Sequence, residues 1–203
     1  MTNIPYQPEL FDMDEYAREA VRATPWHGAP LCYTADYHTP QELIEAYDRY
    51  IAENGRFGCA VRSHMWRYQT RAGEQPQASV LRDGHELWTF SADGRCDEAD
   101  HHHEDGELPG GFMYQAICPP CGWHLIGQET EVVEAWHDHA MPGWRDLPMI
   151  PAKIADNTNE KRQRLALDTW LLTHYPTAWQ REGSPIITPR RGARGMRAYV
   201  VSY

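Results

Sequence analysis

The spacing of apolar and polar positions predicts short strands alternating with amphipathic helices. The most sharply bounded element is a helix over residues 40–54. Leu43, Ile44, Tyr47, Tyr50 and Ile51 fall on one stripe of a 3.6-residue repeat. Thr39-Pro40-Gln41-Glu42 carries a capping-box signature, and Asn54-Gly55 supplies a left-handed stop. Residues 57–69 follow a period of two, with Phe57, Cys59, Val61, Ser63 and Met65 on one face and Arg62, His64 and Trp66 on the other. Residues 79–82 and 86–90 flank Asp83-Gly84, a hairpin signal. Phe112, Tyr114 and Ala116 alternate towards Cys118, and 123–126 reads as the next strand.

Two further helices are expected. Residues 129–140 place Val132, Val133 and Trp136 inward, and residues 158–174 carry Leu165, Leu167, Trp170, Leu171 and Leu172. Before residue 39 the chain reads as an extended arm with one amphipathic piece, Met13 to Arg22. The turn at Met141-Pro142-Gly143 is expected to fold Trp144 and Leu147 back onto Trp136 as one apolar patch. The pattern predicts an α+β fold, with a small antiparallel sheet, about three helices and a zinc-knuckle module. The expected organisation is an N-terminal arm (1–38), a single α+β domain (39–180) containing a zinc module at about 90–140, and a basic C-terminal tail (181–203). A chain of 203 residues is long enough for one real core.

Charge narrows the choice of partner. The net charge of −10 argues against a protein that coats duplex DNA, because phosphate binding is driven by cations. Positive charge is local. Arg181, Arg190, Arg191, Arg194 and Arg197 lie in the tail, and Arg62, Trp66, Arg67, Tyr68 and Arg71 form an arginine-aromatic patch suited to stacking on single strands. Candidate nucleic-acid contacts are therefore Arg62, Trp66, Arg67, Arg190, Arg191 and Arg194. No apolar run approaches the ~20 residues that span a bilayer, and the first six residues are neither basic nor apolar. A cytoplasmic protein with no membrane partner is the expectation.

Five cysteines cluster with histidines rather than spreading in pairs, which in a reducing compartment reads as a metal site. Cys118-Pro119-Pro120-Cys121 has the two-residue gap of a zinc knuckle. Cys96 and His101 form a workable second pair, so the expected Zn²⁺ ligands are Cys96, His101, Cys118 and Cys121. His103 and His137 are the alternates to His101. A ββα finger would use Cys118, Cys121 and a helix histidine such as His137, but leaves Cys96 without a role. His137 and His139 sit about 200° apart on the predicted helix, so one face cannot offer both. A hydrogen-bonded helix terminus explains them more simply than metal does.

The segment from Cys118-Pro-Pro-Cys-Gly-Trp123 to Ala135-Trp-His-Asp-His-Ala-Met-Pro-Gly-Trp-Arg-Asp-Leu-Pro148 resembles an uncharacterised family from actinobacteria, their plasmids and their phages. That family is known only as a domain of unknown function. Ser63-His64-Met65-Trp66, Arg95-Cys96 with His101, and the Gly-x-Pro-Ile-x-Thr of 183–188 also match. The resemblance spans roughly 60–190 and departs over 191–203. It implies the same Cys96, His101, Cys118 and Cys121 set and brings no known activity.

Two functions compete at this level. The first is a small intracellular zinc-containing binding protein of phage or mobile-element type. Its partner would be a host or phage protein, with single-stranded nucleic acid the other possibility. The second is a metal-dependent hydrolase or nuclease built from His137, Asp138, His139 and the segment 101–104. The common hydrolase and phosphate-loop motifs are missing, so the binding protein is the preferred reading and no catalytic residue is assigned.

Overall fold

The computed structural model describes residues 13–55, 64–68, 76–95, 110–156, 158–180, 184–189 and 198–201. Among these, five α-helices accompany a mainly antiparallel sheet, so the α+β class stands. Two of the helices go beyond the expected three: α1 (Met13–Arg22) in the arm and the single turn α4 (Ala152–Ala155). The expected ones are α2 (Pro40–Asn54), α3 (Glu129–Ala140) and α5 (Glu160–His174). No described helix is long and apolar enough to cross a membrane.

Local chemistry sets several boundaries. At the start of α2 the Thr39 hydroxyl accepts from the Glu42 amide, and the Glu42 carboxylate accepts from the Thr39 amide at 2.7 Å. That reciprocal pair satisfies donors the helix would otherwise leave orphaned. Strands β2 (Val80–Arg82) and β3 (His85–Asp93) meet at Asp83-Gly84, where both φ angles are positive (49° and 86°). Such a turn matches the right-handed strand twist and favours glycine at its second position.

The sheet is ordered β1 (Arg67–Tyr68), β3, β4 (Phe112–Cys118), β5 (Trp123–Gly127), with β2 also paired to β3. Trp88 opposes Ile117 across β3 and β4, and Cys118 opposes Trp123 across β4 and β5. This register sorts side chains into two cores. Leu87, Ala116 and Cys118 face α3, where Val132, Trp136, Met141, Trp144, Leu147, Tyr175 and Ile187 close over them. Phe90, Ala92 and Ile117 face the other way, beneath Leu43 and Ala46 of α2, Met65, Trp66 and Ala29. The sheet is thus covered on both faces. Ala29 and Ile187 lie outside the 39–180 range expected for the domain, yet each belongs to one of these cores.

Trp136, Trp144 and Leu147 do pack in one cluster, and Trp144 is only 3% exposed. The strand expected over 57–69 fares differently. Residues 56–63 and 69–75 lie outside the described residues, and only Arg67–Tyr68 is strand. His64 adopts a left-handed φ of 51°, and Met65 and Trp66 are both buried rather than facing opposite environments. With the arm on one side and the sheet on the other, alternate positions both find cover. Beyond α5, β6 (Pro185–Thr188) pairs with β7 (Ala198–Val201). Its backbone is held by the Tyr175 hydroxyl, which accepts from the Ile187 amide at 3.1 Å, and by the Ile150 amide, which donates to the Ile187 carbonyl at 2.8 Å.

Trp136 is fully buried and donates its indole N–H to the Glu86 carbonyl at 2.9 Å. Replacing Trp136 by Ala is expected to cost about 3–5 kcal/mol, whereas Leu172→Ala on the exposed face of α5 stays within about 0.5 kcal/mol. Urea denaturation of the two variants checks this. Comparable losses would place the core elsewhere.

Candidate metal centre

Four potential ligands from separate elements meet at one corner of the sheet. Cys118 ends β4, and Cys121 closes the 3₁₀ turn Pro119–Cys121. Gly122 then takes a left-handed φ of 59°, which lets the chain reverse into β5 within one residue. His85 is the first residue of β3, and the β3–β4 pairing brings that end of β3 beside the end of β4. His139 lies in the last turn of α3. The ligand atoms of His85, Cys118, Cys121 and His139 all fall within 4.8 Å of one another, an arrangement able to hold a metal ion.

The contacts are close throughout. His85 Nδ1 lies 3.7 Å from Cys118 Sγ and 3.4 Å from Cys121 Sγ. The His85 and His139 rings meet edge to face at 4.9 Å, and Trp123 stacks on His139 at 4.9 Å with only 4° between planes. Trp123 thus fixes the tilt of the His139 ring. Cys118 is buried, His85 and His139 are half-buried, and Cys121 is exposed. Nε2 of His139 is shut off from solvent and has no hydrogen-bond partner among the described residues. A buried polar atom left so costs of the order of 1–3 kcal/mol, which a metal bond would offset.

Electrostatics point the same way. Burial pushes the Cys121 thiol up, and the neighbouring Cys118 adds to the shift by hydrogen bond and charge. Burial lowers the His139 imidazole, and His85 lowers it further. Without a cation both shifts favour the neutral forms of Cys121 and His139. A divalent ion would reverse this for the thiols, since thiolates are the ligands that bind it.

Cys118 and Cys121 come together as the knuckle spacing predicts. Cys96, His101 and His103 lie outside the described residues. His137, the other alternate, is not at the cluster. It is buried between Trp136 and Trp144, with Nδ1 2.8 Å from the Val133 carbonyl oxygen, so the hydrogen-bonded reading of this histidine stands. For His139 the hydrogen-bonded reading fails: the half-turn separation from His137 turns it to the metal cluster, with Nε2 unbonded among the described residues. His85 has no mark in the linear sequence beyond its place directly after the Asp83-Gly84 turn.

Of the nucleic-acid candidates, Trp66 and Arg67 lie among the described residues. Trp66 is 2% exposed and donates its indole N–H to the Thr34 carbonyl at 2.7 Å, so no ring face is open for stacking on a base. Arg67 is half-buried in β1. Arg62, Arg190, Arg191 and Arg194 lie outside the described residues. Nor do His137, Asp138 and His139 converge as a hydrolytic site would need. Asp138 instead accepts from the Trp144 indole at 2.8 Å and takes Arg145 on both carboxylate oxygens at 2.9 and 2.8 Å.

A family model matches residues 28–200, most of the chain. The chain belongs to the family of unknown function DUF6349. The DUF6349 match takes in both cores and all four clustered ligands, and extends beyond residues 60–190 at both ends. No curated protein and no solved structure matches the chain.

The Asp138 clamp titrates predictably. Arg145, and then Trp144, hold the Asp138 carboxyl below its usual value. A carboxyl whose pKa is depressed by folding stabilises the fold above its unfolded value, near 4, and loses that contribution as pH falls through the folded value. Asp138→Asn should therefore lower the melting temperature at pH 7, with the gap from the parent closing in acid. The Asp138 side chain is about half exposed, so solvent screening keeps the effect small. A gap unchanged between pH 7 and pH 3 would contradict it.

Proposed function

We propose that this protein is a small intracellular interaction protein of phage or mobile-element origin, its fold braced by one structural Zn²⁺ on His85, Cys118, Cys121 and His139. The origin follows the resemblance of its knuckle and His-Asp-His-Ala segments to actinophage and plasmid sequences. The reading is carried by one observation: the cluster has four N/S ligands and no carboxylate among the described residues. Two thiolates and two imidazoles are a borderline-soft set that suits zinc, and four protein ligands close the coordination sphere. A tetrahedral zinc with bonds of about 2.3 Å to sulfur and 2.0 Å to nitrogen sets those atoms about 3.5 Å apart. The 3.4 and 3.7 Å separations at His85 bracket that value.

A closed site has no position for an activated water, so the zinc braces and does not catalyse. Bound, it ties the β2–β3 hairpin, the knuckle and the end of α3 to one point. The hydrolase alternative loses support from the divergence of His137, Asp138 and His139. Among partners, a host or phage protein is favoured over single-stranded nucleic acid, because the chain is acidic overall and Trp66 is enclosed.

Elemental analysis of purified protein should give one zinc per chain. His85→Ala, His139→Ala and Cys118→Ser should each lose most of it and melt several degrees lower, while Cys96→Ser and His101→Ala keep it. Retention of zinc by His85→Ala, with loss from His101→Ala, would overturn the ligand set. A low-salt titration with a labelled single-stranded oligonucleotide should show no saturable binding. Tight binding that survives moderate salt would reverse the choice of partner.

A further inference from the structure

Like α1, helix α5 has no buried residue, here over 15 positions. Trp170 and Leu171 lean on the first core, but Leu165 and Leu172 remain 69% and 67% exposed. They stand seven residues apart, two helical turns, on one stripe. Beside that stripe runs a groove of about 480 Å³, formed between α5 and α4 and lined by Ile154, Leu165, Ala166 and Trp170 with Lys153 and Arg162. It extends along α5 from Arg162 to His174, about 18 Å at 1.5 Å per residue.

Its charge is opposite to that of the chain. Lys153 and Arg162 line the groove with no acidic residue. Neither makes an ion pair among the described residues. Glu160, Lys161, Arg164 and Asp168 of α5 all lie outside the lining. One of the two lysines of a chain with net charge −10 therefore lies here.

We infer that this groove docks an amphipathic helix with acidic flanks, from a partner protein. The inference rests on the reading of the chain as an interaction protein. An apolar helix face laid in the groove would cover Leu165 and Leu172, and its acids would meet Lys153, Arg162 and their neighbours. The length suits about twelve helical residues. Nucleic acid fits less well: the groove lining is mainly apolar, and one face of Trp170 is covered by His174, stacked at 4.6 Å and 12°.

The test uses the full chain and two fluorescein-labelled 18-residue peptides. Both carry leucines at i, i+3, i+4 and i+7, one with glutamates and one with lysines at the remaining positions. Anisotropy at low salt should show saturable binding of the glutamate peptide, at least about tenfold tighter than the lysine peptide and weakening with added salt. Leu165→Glu and Leu172→Glu should each weaken it about tenfold, and the double charge reversal Lys153→Glu/Arg162→Glu should invert the preference. Zinc content should stay unchanged in all three variants, which separates failure of this inference from failure of the zinc reading. The inference is overturned if neither peptide saturates, if both bind equally, or if the variants leave binding intact. It is also overturned if anionic phosphatidylserine vesicles or an oligo-dT strand bind this face more tightly than the glutamate peptide.

Discussion

Two thiols and two imidazoles converge at the end of β4, where desolvation of Cys121 and His139 is a cost that a shared cation would offset. His85, Cys118, Cys121 and His139 come from a strand start, a strand end, a 3₁₀ turn and a helix end. Only Cys118 and Cys121 are held together by the local chain, through the 3₁₀ turn; His85 and His139 come from distant positions. Cys118 is fully buried within the same cluster of side chains as Trp136, Val132 and Leu87, so the corner is continuous with the first core. Whatever holds the four ligands also sets how α3 lies across β4 and β5. The Trp123–His139 stack is the clearest link, with one ring on the sheet, the other on the helix, and 4° between them.

The segment after His139 reinforces this docking by different means. His137 and Asp138 precede a tight turn that returns Trp144 to the helix. His137 packs against Trp144, and Asp138 binds both the Trp144 indole and the Arg145 guanidinium. Arg145 in turn lies over the Trp144 ring at 4.5 Å and reaches Glu134 at 3.1 Å. Three consecutive polar residues of one helix thus do three jobs: His137 fills core, Asp138 clamps the turn and His139 faces the sulfurs. That division sends the three side chains of the His-Asp-His run to three different surroundings.

How far these features are legible in the sequence depends on how local they are. The α2 boundaries rest on a capping box and a glycine stop within 17 residues, and the knuckle rests on two cysteines two residues apart. Both can be read directly. Trp136 with Trp144 was also legible, because a Pro-Gly turn supplies the return. His85 was not, because its place beside Cys118 follows from strand register across a 33-residue separation. His139 could be separated from His137 by helical angle, but the angle alone does not say which face meets the knuckle. Trp66 misled for another reason. The sheet is covered on both faces, and its neighbouring arm is packed too, so a period of two no longer distinguishes inside from outside.

The central claim is that one zinc ion sits in a closed Cys₂His₂ site on this corner. X-ray absorption at the zinc edge on the purified protein measures it most directly. The account predicts two sulfur neighbours at about 2.3 Å and two imidazole nitrogens at about 2.0–2.1 Å, with no oxygen in the first coordination sphere. A shell of three sulfurs, a bound water, or the absence of stoichiometric zinc would contradict it.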